Sequence, residues 1–193
     1  MKKGVRFFFA GLMNLSAAGL VFAMPAVAAM APSPDRTNAL ATEQRITEQV
    51  RHELVMLPRF GIFDNLEYKV EGGTVTLMGQ VRNPVLKEDA AGSVKHIEGV
   101  EQVKNEIEVL PVSLNDDRIR RQVAGAVLSD PRLSRYAIQP VPPIHVIVKN
   151  GNVDLEGMVR DQADKDAAGL RANGVFGAFS VQNNLQVEKA ITR

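Results

Sequence analysis

The strongest constraint on what this chain can fold into is a strand-like octet that it contains twice. Thr74-Val75-Thr76-Leu77-Met78-Gly79-Gln80-Val81 alternates apolar and polar residues and carries a glycine near its end. Asn152-Val153-Asp154-Leu155-Glu156-Gly157-Met158-Val159 repeats it 78 positions later, with Val75, Leu77, Gly79 and Val81 matched by Val153, Leu155, Gly157 and Val159. Alternation with a period of two sends successive side chains to opposite faces of a strand, and self-similarity at a fixed spacing marks a duplicated structural unit. The chain therefore reads as two copies of one unit.

The same order of signals surrounds each octet. In the first copy Ile46, Val50, Leu54 and Leu57 recur at helical spacing before Pro58; Leu66 to Val70 then alternates, and Gly72-Gly73 supplies a tight turn into the octet. This reads as a helix followed by a β-hairpin. Asn83-Pro84 can cap and open a second helix that turns Val85, Ala90, Val94 and Ile97 inward and stops at Gly99, and Val103 to Val109 forms a closing strand. In the second copy Asn115 or Asp116 can cap the helix bearing Ile119, Val123 and Val127. Ile144, Val146 and Val148 lead through the hairpin signal Asn150-Gly151 into the second octet. A helix over 162–173 with Ala163, Ala167, Ala168 and Ala172 and a strand over 180–187 complete it. The first helices align at an offset of 73, so the second copy has five extra residues (78 − 73), which fall in the loop 132–143 with Pro140, Pro142 and Pro143.

The expected fold class is α+β: two tandem αββαβ domains, each a three-stranded mixed sheet with two helices on one face. A strand–helix–strand crossover makes its flanking strands parallel, whereas the hairpin strands are antiparallel. The domains are expected at 44–112 and 113–190, behind a flexible leader over 29–43. Residues 1–28 read as a cleavable export signal: Lys2, Lys3 and Arg6 precede an uncharged run from Phe7 to Val27 that ends in small residues. Its removal would leave no transmembrane segment and place the protein in the periplasm. It would also change the balance from 23 basic and 22 acidic residues to 20 and 22, a net −2. That balance excludes a nucleic-acid partner of the usual basic kind. The chain has no cysteine, so it has neither disulfides nor a thiol to carry lipid.

Catalytic chemistry has no foothold. His52, His96 and His145 lie in different elements without the spacing of metal ligands, and no serine or threonine sits in a nucleophile elbow. No enzyme activity, metal or cofactor is expected. Gly79, Gly99, Gly157 and Gly177 read as structural glycines of bulges, turns and close packing, and Asn105 and Asn183 as local anchors at the start of the closing strands. The asymmetry between the copies lies in charge. Residues 46–110 carry seven Lys/Arg and eleven Asp/Glu, net −4, whereas 116–190 carry ten and nine, net +1. Arg118, Arg121 and Gln122 fall opposite the apolar stripe of the second copy's first helix, with Arg132 and Arg135 in the loop that follows. Arginines on an exposed face can take lipid phosphates bidentately. Asp116 and Asp117 are placed to neutralise them in part.

The two-copy order of these features resembles the BON domain family. The residues that carry the resemblance are Val75, Leu77, Gly79 and Val81 with Gly99, Val100, Val103 and Asn105, and then Val153, Leu155, Gly157 and Val159 with Gly177, Val181 and Asn183. Ala178 departs from the pattern where the first copy has Val100. The resemblance implies an αββαβ fold and a non-enzymatic envelope-maintenance role, binding anionic phospholipid headgroups or envelope proteins. The leading expectation is lipid association through the second domain. The alternative is a chaperone-like adaptor that protects envelope proteins under osmotic or other stress.

Overall fold

The computed structural model describes residues 34–139 and 141–188. The export signal at 1–28, the leader as far as residue 33, Pro140 and the last residues of the second domain, 189–190, lie outside the described residues. The first repeat comprises α1 (Pro34–Val55), β1 (Asn65–Glu71), β2 (Thr74–Val81), α2 (Pro84–Lys95), β3 (Gln102–Asn105) and β4 (Glu108–Val109). The second comprises α3 (Leu114–Leu128), β5 (Ile144–Lys149), β6 (Asn152–Val159), α4 (Gln162–Asn173), β7 (Ser180–Asn183) and β8 (Gln186–Val187). The octets are the central strands. β2 is antiparallel to β1 and parallel to β3 and β4, and β6 pairs in the same way with β5, β7 and β8.

The closing strand of each sheet is one lane in two segments, and an asparagine makes the break. Asn105 turns its Nδ2 to the Lys87 carbonyl of α2 (2.8 Å), while its Oδ1 accepts the Ile107 N–H at 3.3 Å. Asn183 does the same with Lys165 O at 2.7 Å and Leu185 N–H at 3.3 Å. These asparagines sit at the end of the first segment rather than at the strand start, tying strand to helix.

Three helix boundaries differ from the periodicity. α1 begins at Pro34, ten residues ahead of Gln44, so that 34–43, expected as part of a flexible leader, is helical; from Leu40 onward the first buried side chain is Ile46. No glycine or proline interrupts the good helix formers Leu40, Ala41, Glu43, Gln44 and Arg45, so the helix runs on past the region that packs. The N-cap of α3 is Ser113, whose hydroxyl accepts the Asp116 N–H at 3.2 Å, rather than Asn115 or Asp116. α2 buries Leu86, Ala90 and Val94 while Val85 is exposed, because a helix opened by Pro84 turns the i, i+4, i+8 set from Leu86 inward. It ends at Lys95, capped by His96, with Gly99 in the turn beyond. On α4 it is Asp164, not Ala163, that is buried beside Ala168 and Ala172.

Two apolar cores result. Ile46, Val50 and Leu54 of α1 with Leu86, Ala90 and Val94 of α2 close over Val75, Leu77 and Val81. Ile119, Val123 and Val127 of α3 with Ala168 and Ala172 of α4 close over Val153, Leu155 and Val159. Full burial of each Val, Leu or Ile is worth about 1.5–3 kcal/mol, which makes these side chains the main source of stability. The repeated glycines are needed where the hairpin strands converge. A methyl group built on Gly79 would lie 2.2 Å from the Asn65 carbonyl oxygen, and one on Gly157 would lie 2.0 Å from that of Pro143.

The loop after α1 joins the repeats. Ile62 and Phe63 pack against the second core, and Ile62 O accepts the Val146 N–H at 2.7 Å along the free edge of β5. Phe60 stacks on His145 with centroids 5.3 Å apart, and His145 Nδ1 lies 3.2 Å from Gly61 O. Lys149 pairs with Glu108 and Arg82 with Asp117 across the same joint. The helix-free faces of the two sheets consequently differ. His145 and Ile147 are buried on the second sheet, whereas Glu67 and Lys69 at the equivalent positions of the first are half-exposed.

Candidate functional site

The five residues singled out for lipid contact separate into two groups with different partners. Arg132 and Arg135 belong to a partly exposed ion cluster around a buried carboxylate at the N-terminus of α4. Asp164 is fully buried; its Oδ1 accepts from Arg132 Nε at 2.7 Å and Arg135 Nη2 at 3.0 Å, and its Oδ2 from the Tyr136 hydroxyl at 2.5 Å. Arg132 also reaches Asp161 at 3.3 Å, and the Arg135 guanidinium lies over the Tyr136 ring at 5.5 Å. The hydrogen bond to Asp164 holds Arg132 still more firmly protonated than usual, and the Asp164 N–H holds Asp161 below the usual carboxylate range. The long loop is therefore tied down. A single 3₁₀ turn over Ser134–Tyr136 seats Leu133 and Tyr136 in the core, and the two arginines neutralise the carboxylate buried behind them.

Arg118, Arg121 and Gln122 lie on α3. Arg118 donates to Gln122 Oε1 and Asn115 Oδ1, each at 3.0 Å, and both are neutral acceptors. Arg121 is exposed and has no ion pair or hydrogen bond among the described residues. The two aspartates at the start of α3 point elsewhere. Asp116 is buried and accepts the N–H groups of Asn150 and Gly151, both at 2.9 Å, locking the β5–β6 turn. Asp117 pairs with Arg120 at 2.6 Å and with Arg82 at 3.5 Å. Arg120 is itself only 2% exposed and leaves the surface patch. The surface positive charge of α3 thus consists of Arg118 and Arg121, with no carboxylate bound to either.

The first repeat explains how Arg118 came to be free. Its counterpart at the helix offset of 73 is Arg45, which pairs with Glu98 at 3.0 Å. At the sheet offset of 78, the position of Glu98 is taken by Phe176. The same comparison finds a feature that periodicity missed: Leu170, Phe176 and Phe179, which are 75, 88 and 80% exposed, replace Gly92, Glu98 and Glu101. Phe176 and Phe179 stand on either side of Gly177 and Ala178 in the loop that follows α4. A methyl group built on Gly177 would come within 2.7 Å of Arg118 Nη2, so the loop between the phenylalanines lies directly against the guanidinium. Gly99 holds the matching place against Ile46 Cδ1. The segment Gly174-Val175-Phe176-Gly177 is thereby a packed turn, with the Val175 N–H bonded to Ala172 O at 3.1 Å. Among the described residues no three His, Asp or Glu side chains are grouped to hold a metal ion.

A model of the BON domain family matches residues 42–111 and 115–189, one match for each repeat. The chain belongs to the BON family. A curated relative, osmotically-inducible protein Y of Escherichia coli (strain K12), is 29% identical over 160 residues, covering 81% of this chain and 78% of that protein. Among solved structures, CdsD, a structural protein of the type III secretion system of Chlamydia trachomatis, aligns over 75% of this chain and 94% of its own. It does so at 12% identity and a TM-score of 0.27, at which no structural argument follows. No helix among the described residues is long and apolar enough to cross a membrane.

Proposed function

We propose that this tandem BON protein is a non-enzymatic, stress-related envelope protein of the periplasm that associates reversibly with anionic phospholipid surfaces through its second BON domain. The observation that carries the reading is the uncompensated pair Arg118 and Arg121 on α3, whose neighbouring acids Asp116 and Asp117 are spent on the β5–β6 turn and on Arg120 and Arg82. A guanidinium held only by neutral amide oxygens can exchange them for a phosphate, a stronger acceptor, without breaking an ion pair. The similarity to osmotically-inducible protein Y supports a role under osmotic stress. Within the sequence-based set, the headgroup contacts narrow to Arg118, Arg121 and Gln122, because Arg132 and Arg135 serve Asp164.

The test is co-sedimentation with vesicles of neutral lipid or of neutral lipid mixed with phosphatidylglycerol. Binding should require the anionic lipid and weaken with salt. At about 1 kcal/mol for each arginine near an anionic surface, Arg118→Ala with Arg121→Ala should lower partitioning about 30-fold. Equal binding to both vesicle types would refute the charge-based reading. The chaperone-like alternative has less support, since the helix-free sheet face of the first repeat presents Glu67, Lys69, Glu71, Thr74 and Thr76 with Met78 as the apolar residue among them.

A further inference from the structure

Phe176 and Phe179 stand three residues apart in the loop after α4, with Leu170 on the last turn of that helix, and all three side chains are largely exposed. Phe176 is 88% exposed and Phe179 80%, yet their loop is well anchored. The Phe179 N–H bonds Gly151 O at 2.8 Å, its ring lies against Gly151 at the β5–β6 turn, Val175 packs on the core, and Gly177 abuts Arg118. The aromatic side chains are thus presented on a rigid support, which limits the conformational entropy lost when they are buried. The equivalent corner of the first repeat carries Gly92, Glu98 and Glu101 and joins Glu98 to Arg45, so the apolar character belongs to this repeat and not to the fold.

We infer that Phe176 and Phe179 insert into the boundary between headgroups and acyl chains of an anionic phospholipid bilayer while Arg118 takes a headgroup phosphate. The inference rests on the reading that the second BON domain meets such a surface, and adds that contact is hydrophobic as well as electrostatic. Charge decides between occupants. An apolar tip next to a guanidinium without a bound carboxylate suits a layer of phosphates over hydrocarbon, and the positions of Phe176 and Phe179 are held in the first repeat by Glu98 and Glu101, which would repel that layer.

The chain contains no tryptophan, so Phe176→Trp creates a single reporter at the tip. The protein purified as cells produce it is mixed with phosphatidylglycerol-containing vesicles whose lipids carry bromine on the acyl chains, with Thr76→Trp on the first repeat's helix-free face as control. The expected result is a blue shift and strong quenching for Phe176→Trp and neither for the control. Phe176→Glu with Phe179→Glu, the residue type found at both equivalent positions, should lower sedimentation by at least about 10-fold without moving the thermal midpoint. Sedimentation with unquenched Phe176→Trp would overturn insertion while leaving the electrostatic reading intact. No sedimentation with anionic vesicles at low salt would overturn both. If the wild type self-associates, the double glutamate variant does not and vesicles bind both equally, the corner is a contact between copies and the inference falls.

Discussion

Replacing Asp164 by alanine removes the one carboxylate on which Arg132, Arg135 and Tyr136 converge. The Tyr136 hydroxyl is on a side chain only 6% exposed and also accepts the Arg160 N–H at 2.9 Å, so it loses its acceptor where water has little access. A hydrogen bond to a charged group is worth about 1.5–3 kcal/mol when its partner cannot be re-solvated. The arginine side chains are 45 and 36% exposed and regain water, so each contributes nearer to about 0.5 kcal/mol, as partly exposed ion pairs do. The total is about 3 kcal/mol. It should appear as a lower urea midpoint with an unchanged slope. In a thermal melt it corresponds to about 12–24 °C if the second domain unfolds alone and about half that if both melt together. A loss below about 1 kcal/mol would refute the claim that this cluster is what tethers the long loop. So would vesicle binding that falls as far in folded Arg132→Ala as in Arg118→Ala, because Arg132 would then be reaching the lipid.

Two further outcomes follow from the joint and the glycines. Burial holds His145 below its ordinary value, so from about 6.5 downward the unfolded chain takes up a proton that the folded chain refuses. Stability is then full above that range and falls as pH drops toward the folded value. Urea melts between pH 7.5 and 5 should show this loss in the wild type and a smaller one in His145→Gln; parallel profiles would count against the assignment. Desolvation raises Asp64, so it acts in a lower window, upward from its ordinary 3.8, and with opposite sign: stability falls as pH rises through that window. Gly157→Ala, at φ 110° and 2.0 Å from the Pro143 oxygen, should destabilise by at least about 2 kcal/mol in a urea melt. Gly92→Ala on α2, with nothing within 4 Å, should stabilise by up to about 1 kcal/mol. Similar effects at the two sites would show that the close backbone approach is not what requires the glycine.

The cation cluster and the exposed corner were legible to different degrees. Arg118, Arg121 and Gln122 could be placed on one helix face because their spacing is local. That Arg132 and Arg135 would pair with a buried carboxylate could not be read from their neighbours, since their partner Asp164 lies 32 and 29 residues away across a loop of irregular path. The buried joint had a signal in the unbroken apolar run around Ile147, which marks a strand covered on both faces. The phenylalanine corner was available by setting the two copies side by side at the offset of 78, where Glu98 and Glu101 become Phe176 and Phe179.

The sequence alone determined the duplicated αββαβ unit, its mixed pairing, its two apolar cores and the glycines at its strand crossings. All of these follow from periods of two and 3.6 residues and from turn chemistry, which act within a few residues of chain. The tertiary structure decided which charges remain free, what covers the second sheet, and that Phe176 and Phe179 stand out beside an arginine. The reason is that ion pairing and burial depend on separations of tens of residues, such as the 53 between Arg45 and Glu98, and these are set only once the loops have brought the elements together.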